Sequence, residues 1–509
     1  MVDLFAGPGG LGEGFASCAG ENDKSRFHSL VSIECDLFSH RTLLLRHFFR
    51  LFPSGEIPES YYDYLRGSIG IEDLYRQYNT QYHEASKSAL QIALGKETHN
   101  YVQRIINKRL AGRRKWVLVG GPPCQAYSLV GRSRMMGDPD FESDERHFLY
   151  REYLKIIIDY RPPIFVMENV KGLLSARIKG QPVIQRIVSD LTTPKAALGN
   201  DTNGLAYRLY SLAEDELPDE GIDPRLFLVK AEEFGVPQAR HRMFIVGVRS
   251  DINVRPRRLR RHKAPTVEDT IGHLPAVRSG LSRGEDSPEA WRREIVALAT
   301  TGNLRGQLNG AEHADAIINR IRRLHTSVHD YPIERSSARY PEQTTKPNRV
   351  LTFMCDSRLC SLNAHEARSH MASDLRRYMY AAVFAEVTKH SPKLSDFPVS
   401  LLPDHRNVAL GTSGKMFSDR FRVQLSHEVA TTITSHISKD GHYFIHYDPL
   451  QCRSLTVREA ARLQTFPDNY KFEGPRTQQY HQIGNAVPPY LAAQIAEIIA
   501  DVLDSMKDN

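Results

Sequence analysis

Residues 3–12, Asp-Leu-Phe-Ala-Gly-Pro-Gly-Gly-Leu-Gly, decide the fold class of this chain. The apolar residues at their start predict a short strand, and Gly7, Gly9 and Gly12 follow it in the spacing G-x-G-x-x-G. Glycines in such a loop let the backbone approach a ligand at the amino end of the next helix. Glu34 stands near the end of the next apolar segment, SLVSIECD, where a carboxylate can bind ribose hydroxyls. The pattern predicts strand, loop, helix and strand around a nucleotide-like ligand.

Three interpretations of this loop remain open from the residues alone. It fits a dinucleotide, it fits S-adenosylmethionine (SAM), and it fits a tight turn without any ligand. Pro8 favours SAM, because a proline stiffens the loop and removes an N–H donor that a pyrophosphate would need.

Further strands and helices alternate along the first half of the chain. The segments WVLVGG, IFVMENV, LFLV and MFIVGV are short and apolar, as buried strands are. REYLKIIIDY predicts an amphipathic helix, which Pro162 and Pro163 end. The long polar stretch 72–113 is helix-prone and has no predicted role. Strand–helix alternation predicts an α/β fold with a doubly wound, Rossmann-like sheet.

The domain organisation is predicted from the chain length and from changes in composition and hydrophobic periodicity along the sequence. A chain of 509 residues is too long for one compact core. Residues 1–250 are predicted to form a catalytic domain, and 251–425, rich in Arg, His and Pro, an inserted domain. Residues 426–509 regain regular periodicity, and their helices LTVREAARLQTF and PPYLAAQIAEIIADVL are predicted to return to the first domain.

Composition limits the class and location of the protein. A hydrophobic content of 41% and a charged content of 25% are those of a soluble globular protein. No run of about 18 apolar residues suggests a membrane span, and the first residues do not resemble a signal peptide. We therefore expect a cytoplasmic, nucleoid-associated protein without a leader or N-terminal regulatory module.

Cysteine usage gives no sign of disulfides, since six cysteines are scattered along the chain. Cys355, Cys360, His365 and His370 recur every five residues and could be zinc ligands. Steps of five would spread ligands around a helix rather than gather them, so we predict no metal site.

A cysteine with fixed surroundings is the first candidate for catalysis. Cys124 follows the buried strand WVLVGG in the sequence GGPPCQ, where two prolines fix its approach. Active sites of α/β proteins form at the carboxyl ends of strands. An isolated cysteine is more often a small buried hydrophobe, but the rigid turn favours a nucleophile.

Two strand ends carry charged groups beside this cysteine. Glu168 ends the strand IFVM, where a carboxylate is costly unless it is paired or functional. Alternation places Gln238, Arg240 and Arg242 on one face, able to grip phosphate or the edge of a base. Alternatively, Glu168 forms a structural salt bridge or caps a helix. The three residues Gln238, Arg240 and Arg242 could instead face solvent at the edge of the sheet.

A basic run and a proline turn complete the motifs. Arg255, Arg257 and Arg258 belong to a basic run that continues to Lys263. The whole chain has a formal net charge of +7. It is either a solvated face or an arm that contacts phosphates. The turn QIGNAVPP, residues 482–489, opens the last helix.

Taken together and in this order, the motifs closely resemble those of the DNA (cytosine-5) methyltransferase family. The matches are DLFAGPGG, IECD, GGPPCQ, ENV, QARHR, LTVREAARLQTFPDNY and QIGNAVPP. They cover residues 1–250 and roughly 425–500. The resemblance implies transfer of a methyl group from SAM to C5 of a flipped-out cytosine in a specific duplex sequence, with the inserted domain as the target-recognition domain.

The resemblance also implies roles for individual residues. Cys124 matches the nucleophile that adds to cytosine C6, Glu168 the group that bonds or protonates N3, and Arg242 the contact to the base oxygen, with Arg240 nearby. The residues that match the SAM pocket are Phe5, Gly7, Gly9, Gly10, Leu11, Glu34, Pro122, Asn485 and Val487. Candidate DNA contacts are Ser128, Gln238, Arg255, Arg257, Arg258 and Thr432.

The sequence departs from the family in one position and leaves alternatives. Near the third strand, where the family has an acid for the adenine amine, only Ser68 is available. A tRNA cytosine-5 methyltransferase shares the scaffold, but about 175 inserted residues favour reading of duplex DNA. A DNA-binding protein with a dead methyltransferase fold would need a damaged active site, but Cys124, Glu168 and both arginines are present. A nicotinamide-dependent oxidoreductase leaves PPCQ and ENV unexplained. We expect a monomer with double-stranded DNA as its partner, and a cognate restriction nuclease or another defence system is a candidate second partner.

Overall fold

The computed structural model describes residues 1–20, 24–53, 55–123, 149–178, 180–194, 204–214, 223–300, 304–331, 334–341, 348–403 and 418–506. The chain divides into two compact units. The sheet unit comprises Met1–Lys263 and Ala486–Asn509, and the inserted unit comprises Ala264–Asn485. This division differs from the predicted boundaries, because 251–263 lies in the sheet unit and 426–485 lies in the inserted unit.

One eight-stranded sheet organises the sheet unit. Its strand order is β3-β2-β1-β4-β5-β11-β8, with β9 paired to β11. The first five strands are parallel, and β11 runs antiparallel to its neighbours. The strands of this unit are β1 Val2–Leu4, β2 Val31–Glu34, β3 Ala89–Gln91, β4 Val117–Gly120, β5 Ile164–Val170, β6 Arg177–Ile178, β7 Gln181–Pro182, β8 Tyr207–Tyr210, β9 Leu228–Lys230, β10 Gln238–Ala239 and β11 His241–Arg249.

Helices cover both faces of this sheet, as in a doubly wound fold. Apolar side chains of α6, α7 and α8 join one buried cluster with β1 and β5. Those of α1 and α17 join another with β4 and β11. The helices of the sheet unit are α1 Gly10–Ala16, α2 Leu37–Phe49, α3 Glu59–Arg66, α4 Ile71–Gln77, α5 Asn79–Ser88, α6 His99–Leu110, α7 Leu149–Tyr160, α8 Val183–Thr192 and, at the carboxyl end, α17 Pro489–Asp504.

Local sequence sets the ends of these elements. Asp36 caps α2, because its side chain accepts a hydrogen bond from the Ser39 N–H. Gly67 ends α3 in the left-handed region that glycine tolerates. The predicted order of strand, loop, helix and strand over the first 40 residues is confirmed. The stretch 72–113 is helical as expected, except for the edge strand β3, which the sequence analysis missed.

The inserted unit is mainly helical. Three of its helices, α10, α12 and α14, pack through apolar residues such as Trp291, Ile321 and Tyr378. Its helices are α9 Val267–Ile271, α10 Pro288–Thr300, α11 Leu304–Gln307, α12 Ala314–Ser327, α13 Arg349–Met354, α14 Ala372–Thr388, α15 Val457–Leu463 and α16 Arg476–Asn485. Its short strands are β12 Gly280–Leu281, β13 Ser369–His370 and β14 Ala430–Thr431.

Helix α15 lies in the polar core of this inserted unit. All seven of its residues are buried, and it packs against α9. Arg453 donates two hydrogen bonds of 2.6 Å to Glu459, and Arg462 pairs with Asp468 at 2.7 Å. The amphipathic pattern had predicted packing against the first domain. The helix instead belongs to the inserted unit, because its arginines bind other segments of that unit: Arg458 donates to the Asn363 carbonyl oxygen at 3.2 Å, and Arg462 donates to that of Thr270 at 3.5 Å.

We expect Glu459→Gln to destabilise the inserted unit by about 3 to 5 kcal/mol, since it leaves the guanidinium of Arg453 buried without its counter-charge. The pKa of Glu459 is depressed by Arg453, so its contribution is present above pH 4 to 5 and is lost as the pH falls. Urea unfolding at pH 7 measures the loss. The control Glu386→Gln breaks a surface pair with Arg320 and should cost less than about 1 kcal/mol. Equal effects of the two variants would contradict the prediction.

Two histidines considered as metal ligands make protein contacts in the inserted unit. His365 contacts the Thr456 hydroxyl at 3.1 Å and the Pro275 carbonyl oxygen at 2.8 Å. His370 lies 3.2 Å from the Ser454 hydroxyl. In the part of the chain that the structure describes, no three His, Cys, Asp or Glu side chains are grouped to hold a metal ion.

Among the described residues, one stretch, Arg476–Asp504, is long and apolar enough by composition to cross a membrane. However, 72% of its apolar window is buried inside the protein. A core helix of a globular protein passes the same test.

Candidate active site

The predicted site residues of the sheet unit gather at one edge of its sheet. Strands β1, β2, β4 and β5 are parallel, so their carboxyl ends meet there. Strand β11 is antiparallel to β5 and begins at the same edge, where Arg242 is the register partner of Val170. This edge brings together the glycine loop, Glu34, Gly121, Glu168 and Arg242.

The glycine loop has the backbone of a ligand cradle. Gly7 and Gly9 have φ angles of 58° and 99°, and Gly9 precedes the first residue of α1. Phe5 also has a positive φ, of 59°, which is uncommon for a bulky residue and is found where a site holds its backbone in place. A Cβ on Gly7 would meet open space, so the left-handed backbone, not crowding, requires glycine there.

Glu34 is held against this loop by two backbone donors. The N–H of Gly7 donates to Oε2 at 2.8 Å, and the N–H of Asp36 donates to Oε1 at 2.7 Å. Each carboxylate oxygen keeps a further lone pair that can accept a ribose hydroxyl. An open loop beside an oriented carboxylate fits a nucleoside cofactor such as SAM.

The amino end of α17 packs directly on this loop. A Cβ on Gly10 would overlap the carbonyl oxygen of Val487, and one on Gly14 would overlap the side chain of Ala492. These glycines therefore permit the close approach of α1 and α17. Val487 thus lies beside the loop, as the resemblance implied.

Asp3 lies beneath the loop, and its carboxyl group is unexpected. The side chain is fully buried, and neither oxygen has a hydrogen-bond partner among the described residues. Burial, together with the charge of Glu34, raises the pKa of Asp3 to about 8. The carboxyl group is therefore protonated at neutral pH, which avoids the cost of a buried charge.

We expect Asp3→Asn to stabilise the protein more at pH 8 than at pH 5. An aspartate of the unfolded chain has a pKa of about 3.9, so folding binds a proton between that pH and about pH 8. Stability then falls by up to about 1.4 kcal/mol for each pH unit in this window, and asparagine removes that dependence. Thermal unfolding across the pH range tests it. Asp504→Asn, at an exposed carboxylate, is the control, and an unchanged pH slope in Asp3→Asn would contradict the argument.

Glu168 is the central charged group of the site. Its carboxylate lies 3.1 Å from Nε of Arg242. Burial raises the pKa of Glu168, and the guanidiniums of Arg242 and Arg240 only partly oppose this effect. A Cβ on Gly121 would stand 2.9 Å from Oε2 of Glu168, so this glycine leaves the space that the carboxyl group occupies. The arrangement suits a carboxylic acid that donates a proton or a hydrogen bond.

One positioning contact was missed by the sequence analysis. The side-chain amide of Asn169 donates to the Pro122 carbonyl oxygen at 3.1 Å and so ties β5 to the start of the GGPPC loop. The motif ENV, in which Asn169 follows Glu168, was the feature of the sequence that could have indicated this contact. Cys124 and Ser128, which come later in the sequence, lie outside the described residues.

The remaining candidate residues have varied surroundings. Gln238 and Arg240 are almost fully buried in the sheet unit. Arg255 and Arg258 are exposed, whereas Arg257 pairs with Asp501 at 2.7 Å and with Glu497 at 3.3 Å on α17. Asn485 and Thr432 belong to the inserted unit. The structure therefore gives Arg257 an intramolecular role, and its DNA contact stays a prediction.

The sheet is doubly wound, with a glycine loop after β1 and an acid at the end of β2. A buried Glu–Arg pair lies where β5 ends and β11 begins. Together these features define a Rossmann-like methyltransferase fold. The sequence model for C-5 cytosine-specific DNA methylases matches residues 80–194 and 213–501. The chain belongs to this family and is a DNA (cytosine-5-)-methyltransferase, which methylates C5 of cytosine in DNA. The predicted family and fold class are confirmed, and the tRNA alternative is not favoured.

Relatives of known name match most or nearly all of the chain. The type II methyltransferase M.Bpa9945I of Bacillus paralicheniformis is 31% identical, over 99% of both chains. The DNA (cytosine-5-)-methyltransferase M.ApeKI of Aeropyrum pernix is 26% identical over 77% of this chain and 82% of its own. A solved structure described as a DNA modification methyltransferase encoded within a prophage (E. coli) has a TM-score of 0.55 at 17% identity, covering 99% of each chain, and supports the fold.

Proposed function

We propose that this enzyme transfers the methyl group of SAM to a cytosine that is flipped out of a specific duplex sequence, through a covalent bond between Cys124 and C6. The observation that carries the proposal is the buried Glu168, whose pKa is raised by burial and which lies beside Arg242 and Gly121. Such a group can protonate N3 of a cytosine that enters the edge of the sheet. Asn169 fixes the loop that leads from there to Cys124.

The cofactor pocket is assigned to the glycine loop and Glu34. The loop backbone of Phe5, Gly7 and Gly9 would enclose the methionine part of SAM, and Glu34 would accept the ribose hydroxyls. Gly10, Leu11, Pro122, Asn485 and Val487 are proposed as further lining residues. When bound, SAM supplies an electrophilic methyl group on a positively charged sulfur.

The protein must make C5 of cytosine nucleophilic, because the aromatic ring holds its electrons. The Cys124 thiolate adds to C6 while Glu168 gives a proton to N3, so the C5–C6 double bond is lost and a C4–C5 double bond forms, which makes C5 the nucleophilic carbon of an enamine. C5 attacks the methyl carbon, and the electrons of the breaking carbon–sulfur bond stay on the cofactor sulfur. A base then removes the C5 proton, Glu168 recovers its proton from N3, and the Cys124 thiolate leaves. Arg242 contacts the base oxygen.

A stacked base cannot enter such a site. Extrusion from the duplex costs a few kcal/mol, which contacts to the flipped base and to the backbone must offset. Candidate backbone or base contacts are Ser128, Gln238, Arg240, Arg255, Arg257, Arg258 and Thr432. The names of the relatives as type II methyltransferases favour a cognate restriction nuclease as a partner, and we propose that the enzyme acts as a cytoplasmic monomer.

Direct mapping of the product tests this function. The purified protein is incubated with methylation-free plasmid DNA and SAM, and bisulfite sequencing locates the modified bases. We expect 5-methylcytosine at one short sequence and none without SAM. A bulk tRNA sample serves as the competing substrate. Preferential methylation of tRNA, or methylated adenine, would contradict the proposal.

We further expect the inserted region 251–425 to determine the target sequence, since its position in the chain matches the target-recognition domain of the family. Exchanging residues 251–425 for the corresponding region of a relative with another target should transfer that relative's specificity. The same plasmid mapping reads the result. An exchanged protein that remains active on the original sequence would rule out this assignment.

A further inference from the structure

Two helices of the sheet unit each follow one half of the proposed cofactor pocket. Helix α1 begins immediately after the glycine loop, and α2 begins three residues after Glu34. The hydrogen bond from Gly7 to Glu34 joins the two halves at the pocket itself. A second connection joins the two helices away from the pocket, through Glu13.

Glu13 is a buried acid in α1 that binds two arginines of α2. Its side chain is fully buried, and Arg46 holds both oxygens, with Nε and Nη2 each 2.6 Å away. Arg50 also contacts both oxygens. Burial alone would raise the pKa of Glu13, but the two guanidiniums lower it to about 2, so the group is charged at every working pH. This acid therefore clamps α1 to α2.

The contacts of Arg46 continue into α3, and α2 also packs on the stretch 72–113, which had no predicted role. The guanidinium of Arg46 lies 3.8 Å from the centre of the Phe49 ring, and Phe49 packs on the ring of Tyr61 at 4.9 Å. Tyr61 is a buried residue of α3. Helix α5 packs on α2 as well. A chain of direct contacts thus runs from α3 through Phe49 and Arg46 to Glu13, and from there along α1 to the glycine loop.

We propose that Glu13 is a positioning residue for cofactor binding, and that α3 to α5 support it by covering α2. By fixing α1 against α2, Glu13 holds the loop and Glu34 at the separation that one ligand must span. The proposal rests on SAM binding at this loop. Removing the charge of Glu13 would leave the buried guanidinium of Arg46 and the partly exposed one of Arg50 without their counter-charge, and would let the two halves of the pocket shift.

The test compares Glu13→Gln with the wild type in three measurements. We expect KM for SAM to rise between about 10-fold and 100-fold, because small misplacements of binding groups are costly. We expect kcat at saturating SAM to change less than about twofold, since Glu13 touches no reacting atom. Calorimetric titration of SAM into the free protein should show the same loss of affinity. Arg50→Gln, at a partly exposed partner, should give a smaller rise of KM in a protein that folds.

Two control pairs separate positioning from stability. Asp504→Asn breaks the exposed pair with Arg26 and should leave the SAM affinity unchanged. Tyr61→Ala, which removes the ring that touches Phe49, should weaken SAM binding more than Tyr82→Ala, which removes a ring of α5 that stacks on Tyr75. If Glu13→Gln and Arg50→Gln lower the melting temperature but bind SAM like the wild type, Glu13 is only structural and the proposal fails. A wild type that does not bind SAM would instead refute the proposed function.

Discussion

Cys124→Ala should reduce methyl transfer to cytosine by about 10⁴-fold or more, because removing a covalent nucleophile eliminates the path through the adduct. Without addition at C6, C5 keeps its aromatic electrons and does not attack the methyl carbon. The measurement is incorporation of labelled methyl groups into duplex DNA at saturating SAM. Because alanine is small and apolar, binding of SAM and of DNA should stay within a few-fold of the wild type.

A matched cysteine variant shows whether this loss is specific. Cys360 is an exposed cysteine of the inserted unit, and Cys360→Ala should retain full activity. Incorporation by Cys124→Ala at the wild-type rate would refute the assignment of the nucleophile. Loss of SAM binding in this variant would show that its inactivity has another cause.

Glu168→Gln should reduce kcat by about 10²- to 10⁴-fold, which is the range for loss of a general acid. The glutamine amide can still donate a hydrogen bond to N3, but it has no proton to transfer. Single-turnover rates at saturating SAM and DNA measure the chemical step. Glu497→Gln, at a surface carboxylate paired with Arg257, is the control and should leave kcat unchanged.

The pH dependence of the rate provides a second test of the role of Glu168. Its protonated form is the active one, so the rate should fall as the pH rises through its pKa. Burial raises that pKa and moves the alkaline limb to higher pH, against the opposing charges of Arg242 and Arg240. In Glu168→Gln this limb should be absent. An unchanged alkaline limb in the variant would assign the titration to another group.

Local patterns predicted the edge of the sheet correctly for a simple reason. The glycine loop, Glu34 and Glu168 each stand at the end of an apolar strand, and carboxyl ends of parallel strands must meet. The convergence of Glu34 and Glu168 follows from that rule, whereas Arg242 joins them because β11 runs antiparallel to β5 and begins at the same edge. The space beside Gly121 does not follow from the rule either, because it depends on the rotamer of the Glu168 side chain.

Partners far apart in sequence explain what could not be predicted. Glu13 stands in a glycine-rich helix and would be taken for a surface acid, since Arg46 lies 33 residues away. Arg257 belongs to a run that suggests phosphate binding, yet its carboxylate partners are on α17, 240 and 244 residues further along the chain. The apolar pattern of α15 indicates that the helix is buried, but not which residues bury it. This explains why the boundary predicted near residue 426 differs from the observed end of the inserted unit at Asn485.

The most direct test of the account uses duplex DNA that carries 5-fluorocytosine at the target position. Fluorine cannot leave C5 as a proton does, so an enzyme that has added to C6 and transferred the methyl group stays attached to the base. We predict a complex that survives denaturation, requires SAM and is absent from Cys124→Ala. If the SAM-loaded wild type methylates ordinary duplexes yet never forms this adduct, the covalent route through Cys124 is wrong.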